Sequence, residues 1–126
     1  MAKKRVLLIV DDEKVIADGL KMMLKSEEYE CIVAYSGEDG LKKAKEQTLD
    51  LVLLDIKMPE QDGFQVLQTL KQDASTSQVP VIMVTSCDTP EDIEKANKLG
   101  ATDYFIKPIN FNNLRDRIAK TLGTKP

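Results

Sequence analysis

Histidine is absent from this 126-residue chain, which removes imidazole acid–base catalysis and the commonest transition-metal ligand together. Whatever chemistry the protein performs must use carboxylates, hydroxyls and lysine. Cysteine is scarce: Cys31 and Cys87 form no CxxC pair and are too few for a disulfide framework, which suits a reducing compartment. Both read as buried thiols rather than as metal or redox groups. No apolar run approaches the roughly 20 residues of a membrane helix. The opening MAKKR leads into a short apolar run rather than a signal-peptide core, so a cytoplasmic location with no membrane partner is expected. A basic surplus is also missing: 18 Lys and Arg against 21 Asp and Glu leave a formal charge of −3, which gives no bulk attraction for nucleic acid.

What remains is 42% hydrophobic and 31% charged, the balance of a folded chain with a real core. The length fits one domain, residues 1–126, with a core over about 4–122. Apolar runs of strand length occur at Val6–Val10, Cys31–Ala34, Leu51–Leu54, Val81–Val84 and Tyr104–Ile106. Each is followed by a helical stripe: Ile16, Leu20, Met23 and Leu24; Leu41 and Ala44; Phe64, Leu67 and Leu70; Ile93 and Ala96; Leu114, Ile118 and Leu122. Ser36, Asp62, Thr89 (before Pro90) and Asn110 read as helix starts, and Gly100 as a stop. The DASTSQVP stretch at 73–80 is a polar loop, because the rhythm resumes directly after it.

Strands that read as unbroken apolar runs are buried on both faces, and alternation with helices makes them parallel. The expectation is therefore an α/β fold, a doubly wound five-stranded parallel sheet. The flavodoxin-like order 2-1-3-4-5 keeps every crossover right-handed and puts the reversal between strands 1 and 3, where ligands sit beyond the carboxyl ends.

The stretch LLIVDDEK, Leu7 to Lys14, runs from a strand straight into three acids. In this order Asp11 and Asp12 end strand 1, Asp55 ends strand 3, Thr85 and Ser86 end strand 4, and Lys107 ends strand 5, all on one rim. Three close carboxylates repel one another unless a cation holds them, and an all-oxygen set suits Mg2+ rather than zinc. Magnesium with few protein ligands is the usual companion of phosphate, and a carboxylate is itself a phosphoryl acceptor. Asp55, at the end of the central run DLVLL, is the expected nucleophile, with Lys107 and Thr85 facing the oxygens of the incoming group.

At these positions the sequence resembles the receiver domain of two-component response regulators, in its single-domain, chemotaxis-regulator-like form. VDDE, LLDIKMPEQDG, VTS and DYFIKP stand in that family's order and spacing, and together they cover nearly the whole chain. The resemblance implies that Asp12 binds Mg2+ directly, Asp11 largely through water, Asp55 as both ligand and phosphoacceptor, and Lys57 through its backbone carbonyl. Thr85 and Lys107 would contact the phosphoryl group, and Tyr104 would turn inward as Thr85 is drawn toward it. Pro59 and Gly63 would shape the acceptor loop, and Pro108 would follow a cis peptide bond. The side chain of Lys57 either shields the phosphate or points to solvent.

The same resemblance implies a histidine kinase or phosphotransfer protein as phosphoryl donor, and a downstream protein target read by the fourth helix, fifth strand and fifth helix. The chain would be a phosphoacceptor switch rather than a turnover enzyme, either stand-alone or a receiver from a longer chain. Asp103 and Arg117 offer one interchain ion pair of the kind that joins dimers on that face, but Asn113 is neutral where another charge is needed. A monomer or weak dimer with a heterologous partner is expected. Two rival chemistries fit less well. An FMN-binding loop would be repelled by DDEK, and a haloacid-dehalogenase-like phosphatase carries an aspartate two residues after its nucleophile, where this chain has Lys57. An unphosphorylated interaction module has no physical need for so much like charge on one rim.

Overall fold

The computed structural model describes residues 3–26 and 28–124. Five strands, β1 (Arg5–Val10), β2 (Tyr29–Ala34), β3 (Leu51–Leu54), β4 (Val81–Thr85) and β5 (Asp103–Ile106), alternate with five helices. The helices are α1 (Lys14–Leu24), α2 (Gly37–Glu46), α3 (Gly63–Gln72), α4 (Pro90–Lys98) and α5 (Phe111–Leu122). The strands form one parallel sheet in the order β2-β1-β3-β4-β5, the arrangement expected from the alternation of apolar runs and helical stripes.

Residues of period two divide the core between the faces. Leu8, Val10, Val52, Leu54, Val81 and Met83 meet Ala44, Phe64, Leu67, Leu70 and Ala96 of α2, α3 and α4. On the other face Leu7, Ile9, Leu51, Leu53, Ile82 and Val84 meet Ala17, Leu20, Leu24, Leu114 and Ile118 of α1 and α5. Each fully buried Leu, Ile or Val here contributes on the order of 1.5–3 kcal/mol, so the three inner strands are the rigid frame from which the loops project.

The edges depart from the double-sided pattern. β2 alternates buried Tyr29, Cys31 and Ala34 with exposed Glu30, and β5 is half-exposed throughout, ending in exposed Ile106. An edge strand has a neighbour on one side only, so its short apolar run does not require burial on both faces. The Lys43 ammonium donates to the Val33 carbonyl at 2.7 Å and pairs with Asp39 at 3.0 Å, placing a charge on the β2 edge. Two residues of the expected stripes are also exposed, Met23 at 55% and Ile93 at 37%, because among the described residues no element packs over these parts of α1 and α4.

The helix starts follow the sequence. Ser36, Asp62, Thr89 and Asn110 each accept a backbone N–H three residues on, and Asp62 completes a capping box with Gln65. Gly100, at φ +102°, ends α4 in a conformation that disfavours other residues. Helix α1 is the exception: its N-cap is Glu13, which makes no side-chain capping bond. The 73–80 loop is tied down, with Thr76 Oγ1 donating to Leu70 O at 2.6 Å and Lys71 Nζ to Val79 O at 2.8 Å. No helix among the described residues is long and apolar enough to cross a membrane.

Candidate functional site

One backbone hydrogen bond beyond the ends of β1, β3 and β5 fixes the residues of the rim. Asp11 N–H donates to Ala34 O at 3.1 Å, Asp55 N–H to Val10 O at 3.0 Å, and Lys107 N–H to Thr85 O at 2.8 Å. The sheet thus continues just far enough to hold both carboxylates and the lysine in register. Asp11 and Asp55 are 2% and 3% exposed and Thr85 is fully buried, whereas Asp12 is half-buried and Ser86 exposed.

Asp11, Asp12 and Asp55 each bring a carboxylate oxygen within 4.8 Å of the others. Asp55 Oδ1 accepts the Ile56 N–H at 2.7 Å and Asp11 Oδ1 accepts the Glu13 N–H at 2.9 Å. Their second oxygens face Lys107, whose ammonium lies 2.8 Å from Asp11 Oδ2 and 3.3 Å from Asp55 Oδ2. Asp12 makes no side-chain hydrogen bond among the described residues, so it is not the cap of α1. An uncommitted carboxylate beside two buried ones, all oxygen donors, fits a hard divalent cation such as Mg2+.

The electrostatics match the crowding. Burial pushes the Asp11 carboxyl up to about 6, and the nearby Asp55 charge adds to this, while the Lys107 and Glu13 N–H bonds oppose it. For Lys107 burial works toward a lower value, but the hydrogen bond and charge of Asp11, helped by Asp55 and Glu13, hold it above the ordinary lysine range. The ammonium is therefore a fixed positive charge.

The loop after Asp55 is set by backbone contacts. Gly63 N–H donates to Ile56 O at 2.7 Å, and a Cβ on Gly63 would stand 2.1 Å from Asp55 O, so only glycine lets α3 start this close to Asp55. Exposed Pro59 opens a tight turn in which Gln61 N–H returns to Pro59 O at 2.7 Å with Glu60 at φ +68°, a strained conformation for a residue with a side chain. The Lys57 side chain is exposed. The peptide bond between Lys107 and Pro108 is cis.

Thr85 Oγ1 accepts the Cys87 N–H at 3.3 Å, and the Tyr104 hydroxyl donates to Cys87 O at 2.6 Å. The Tyr104 ring is half-buried against the α2–α4 core, and burial, with the surrounding Cys87 and Asp92 charges, pushes its phenol up to about 12. The Cys87 backbone, through its N–H on one side and its carbonyl on the other, therefore joins the two residues expected to act as a switch. Nothing in the sequence marks that connection, because it uses backbone atoms; the residue itself is half-buried rather than fully buried, while Cys31 is buried and both thiols are free. Sequence reasoning also assigned no role to Glu13, which reaches Lys107 at 3.1 Å. Its signal was present as the third acid of DDE. Asp103 and Arg117 pair within the chain at 2.8 Å. A groove of about 550 Å³ beside them runs between α4 and β5, lined by Pro90, Ile93, Asn97, Ala101 and Tyr104 among others.

Comparison with known proteins points the same way. The family described as "Response regulator receiver domain" matches residues 7–119. Transcriptional regulatory protein ZraR of Salmonella typhimurium is 36% identical over 117 residues, 93% of this chain and 26% of that protein; the Escherichia coli protein of the same name is 37% identical over the same share. The chain thus spans about a quarter of these relatives' length. Among solved structures, a CheY-like response regulator receiver domain protein from Methanospirillum hungatei superposes with a TM-score of 0.90 at 31% identity, covering 96% of this chain and 95% of that one. Chemotaxis protein CheY4 of Vibrio cholerae gives 0.89 at 27% identity, covering 95% and 100%.

Proposed function

The chain belongs to the response regulator receiver domain family, and from that premise we propose that it is a phosphorylation switch in which Asp55 accepts a phosphoryl group from the phosphohistidine of a partner kinase or phosphotransfer protein. The observation that carries this reading is the unequal use of the two Asp55 oxygens. Oδ1 is tied to the Ile56 N–H at 2.7 Å, while Oδ2 faces Lys107 at 3.3 Å. One oxygen orients the group and the other is left to attack.

Asp55 Oδ2 forms the new P–O bond as the donor's N–P bond breaks, and the imidazole leaves with the electron pair. Lys107 follows the charge from carboxylate to phosphoryl oxygens, needing no proton transfer because it stays cationic. The Thr85 hydroxyl, whose proton is uncommitted among the described residues, donates to a second phosphoryl oxygen. Asp11, Asp12 and Asp55, with the Lys57 backbone carbonyl, are the groups that would hold Mg2+, whose contribution when bound is to neutralise phosphoryl charge. One phosphoryl group per chain is taken up, so the protein is an acceptor and not a turnover enzyme.

Drawing Thr85 Oγ1 toward phosphate removes the acceptor of the Cys87 N–H and, through the backbone of Cys87, strains the bond from Tyr104 to the Cys87 carbonyl. The output face is accordingly the groove of α4 and β5 with the adjoining side of α5. The internal pairing of Asp103 with Arg117 favours a heterologous protein target and a monomer or weak dimer over a tight dimer. The net charge of −3 favours a protein over nucleic acid. Free cysteines fit the cytoplasm. The test is incubation with acetyl phosphate, with and without Mg2+, followed by intact and peptide mass measurement. One added phosphoryl group on Asp55 that requires Mg2+ is expected, and labelling elsewhere or none at all would overturn the reading.

A further inference from the structure

Lys107 carries three N–H donors, and three carboxylates surround it: Asp11 at 2.8 Å, Glu13 at 3.1 Å and Asp55 at 3.3 Å. The ammonium is saturated by its neighbours. The three acceptors differ in freedom, since the Asp11 and Asp55 side chains are 3% and 4% exposed and the Glu13 side chain 57%. Glu13 stands at the N-cap of α1 yet makes no capping bond, so its carboxylate is spent on Lys107 instead of on its own helix. It also adds a fourth negative charge to a rim that must receive an anionic phosphoryl group.

From this geometry we propose that Glu13 is a positioning residue that restrains Lys107 and so slows loading of the phosphoryl group onto Asp55, an inference that rests on the reading of Asp55 as acceptor. Glu13 acts through Lys107: its carboxylate holds the ammonium on the α1 side of the rim, and that hold must loosen before the ammonium can follow the phosphoryl oxygens. As the one exposed arm of the three, Glu13 is also the acceptor that is released at least cost.

The test is a double-mutant cycle of Glu13→Gln and Lys107→Ala, read by the rate of phosphoryl uptake from acetyl phosphate. Glu13→Gln alone should speed uptake by about two- to fivefold, the range set by a half-exposed ion pair, and should do nothing in the Lys107→Ala background. A second readout needs neither metal nor phosphate. In chelator, Glu13→Gln should shift the Lys107 ammonium resonance and hasten its proton exchange. Unchanged or slower uptake, the same acceleration without Lys107, or an unmoved Lys107 resonance each overturns the role of Glu13. If the wild type itself takes up no phosphoryl group, the acceptor reading fails and the brake with it. A labelled wild type with an unaltered Glu13→Gln rate overturns only the brake.

Discussion

Replacing Gly63 by alanine puts two effects of opposite sign against each other. Alanine is the better helix former by about 1 kcal/mol, and Gly63 is the first residue of α3. Its Cβ, however, would lie 2.1 Å from Asp55 O, 2.7 Å from Ile56 Cα and 2.8 Å from Asp55 C, where about 3.5–4 Å is comfortable. All three obstacles are backbone, so no side-chain rotation relieves them. The start of α3 must move by more than roughly an ångström relative to the acceptor, and the 2.7 Å bond from Gly63 N–H to Ile56 O goes with it. An overpacking cost near the upper end of the usual range, about 3 kcal/mol, with about 1 kcal/mol for the lost bond, outweighs the propensity gain and leaves a net loss of about 3 kcal/mol. Urea unfolding should show this as a midpoint lower by roughly 1.5 M at an m-value of about 2 kcal/mol/M, and phosphoryl uptake should fall further than stability alone explains because Asp55 itself is displaced. Gly19 is the internal control: an added Cβ there meets no atom within 4 Å, so Gly19→Ala should stabilise α1 by up to about 1 kcal/mol. A Gly63→Ala protein as stable as wild type, with normal uptake, would refute the steric argument.

Asp55→Asn keeps the shape and removes the nucleophile; the fold should survive in circular dichroism while acid-labile labelling disappears. Asp12→Ala should weaken Mg2+ binding tenfold or more in calorimetry, since a hard cation loses its one uncommitted carboxylate, and should raise the melting temperature in chelator by relieving repulsion. For Asp11, raised in the fold from 3.8 to about 6, the folded state binds the proton more tightly than the unfolded one. Its contribution to metal-free stability is therefore full below about pH 4 and lost as pH rises through 6, a change on the order of a few kcal/mol. Urea titrations from pH 4 to 7 on wild type and Asp11→Asn in chelator should show the variant lacking that decline. Tyr104→Phe removes the bond to Cys87 O and should leave uptake at Asp55 unchanged while shrinking the amide shifts that a beryllofluoride mimic produces between Ile93 and Leu99; full-sized shifts there would sever the proposed link.

The inner strands were legible because burial on both faces leaves only one kind of residue acceptable. Leu51 to Leu54 and Val81 to Val84 admit no polar position, and parallel order follows from the helices between them. β5 was legible as a strand but not as a half-exposed edge, since DYFI carries the same apolar run whether or not a neighbour covers it. Exposure of Met23 and Ile93 was equally unreadable, because a helical stripe states which face is apolar and not how wide the opposing surface is. Caps, by contrast, are local chemistry within four residues, and Ser36, Asp62, Thr89 and Asn110 were readable for that reason.

The site divides along the same line. Asp11, Asp12, Asp55, Thr85 and Lys107 could be found because each ends a strand, and parallel strands send all their carboxyl ends to one rim. What a list of strand ends does not contain is which partner each group uses. Glu13 is one residue past the pair of aspartates and its carboxylate could as well have capped α1; only the turn at 11–13 sends it to Lys107. The Cys87 link between Thr85 and Tyr104 uses backbone atoms, and every residue has them. A buried aspartate with its carboxyl raised to about 6, beside two more acids and held by one lysine, is a costly arrangement for an inert surface, and a bound cation would lower that cost. The same repulsion that weakens the metal-free fold thus favours a cation at the carboxyl ends of the strands, and on the proposed reading that cation would offset the charge of an incoming phosphoryl group, whose arrival Thr85 would pass to Tyr104.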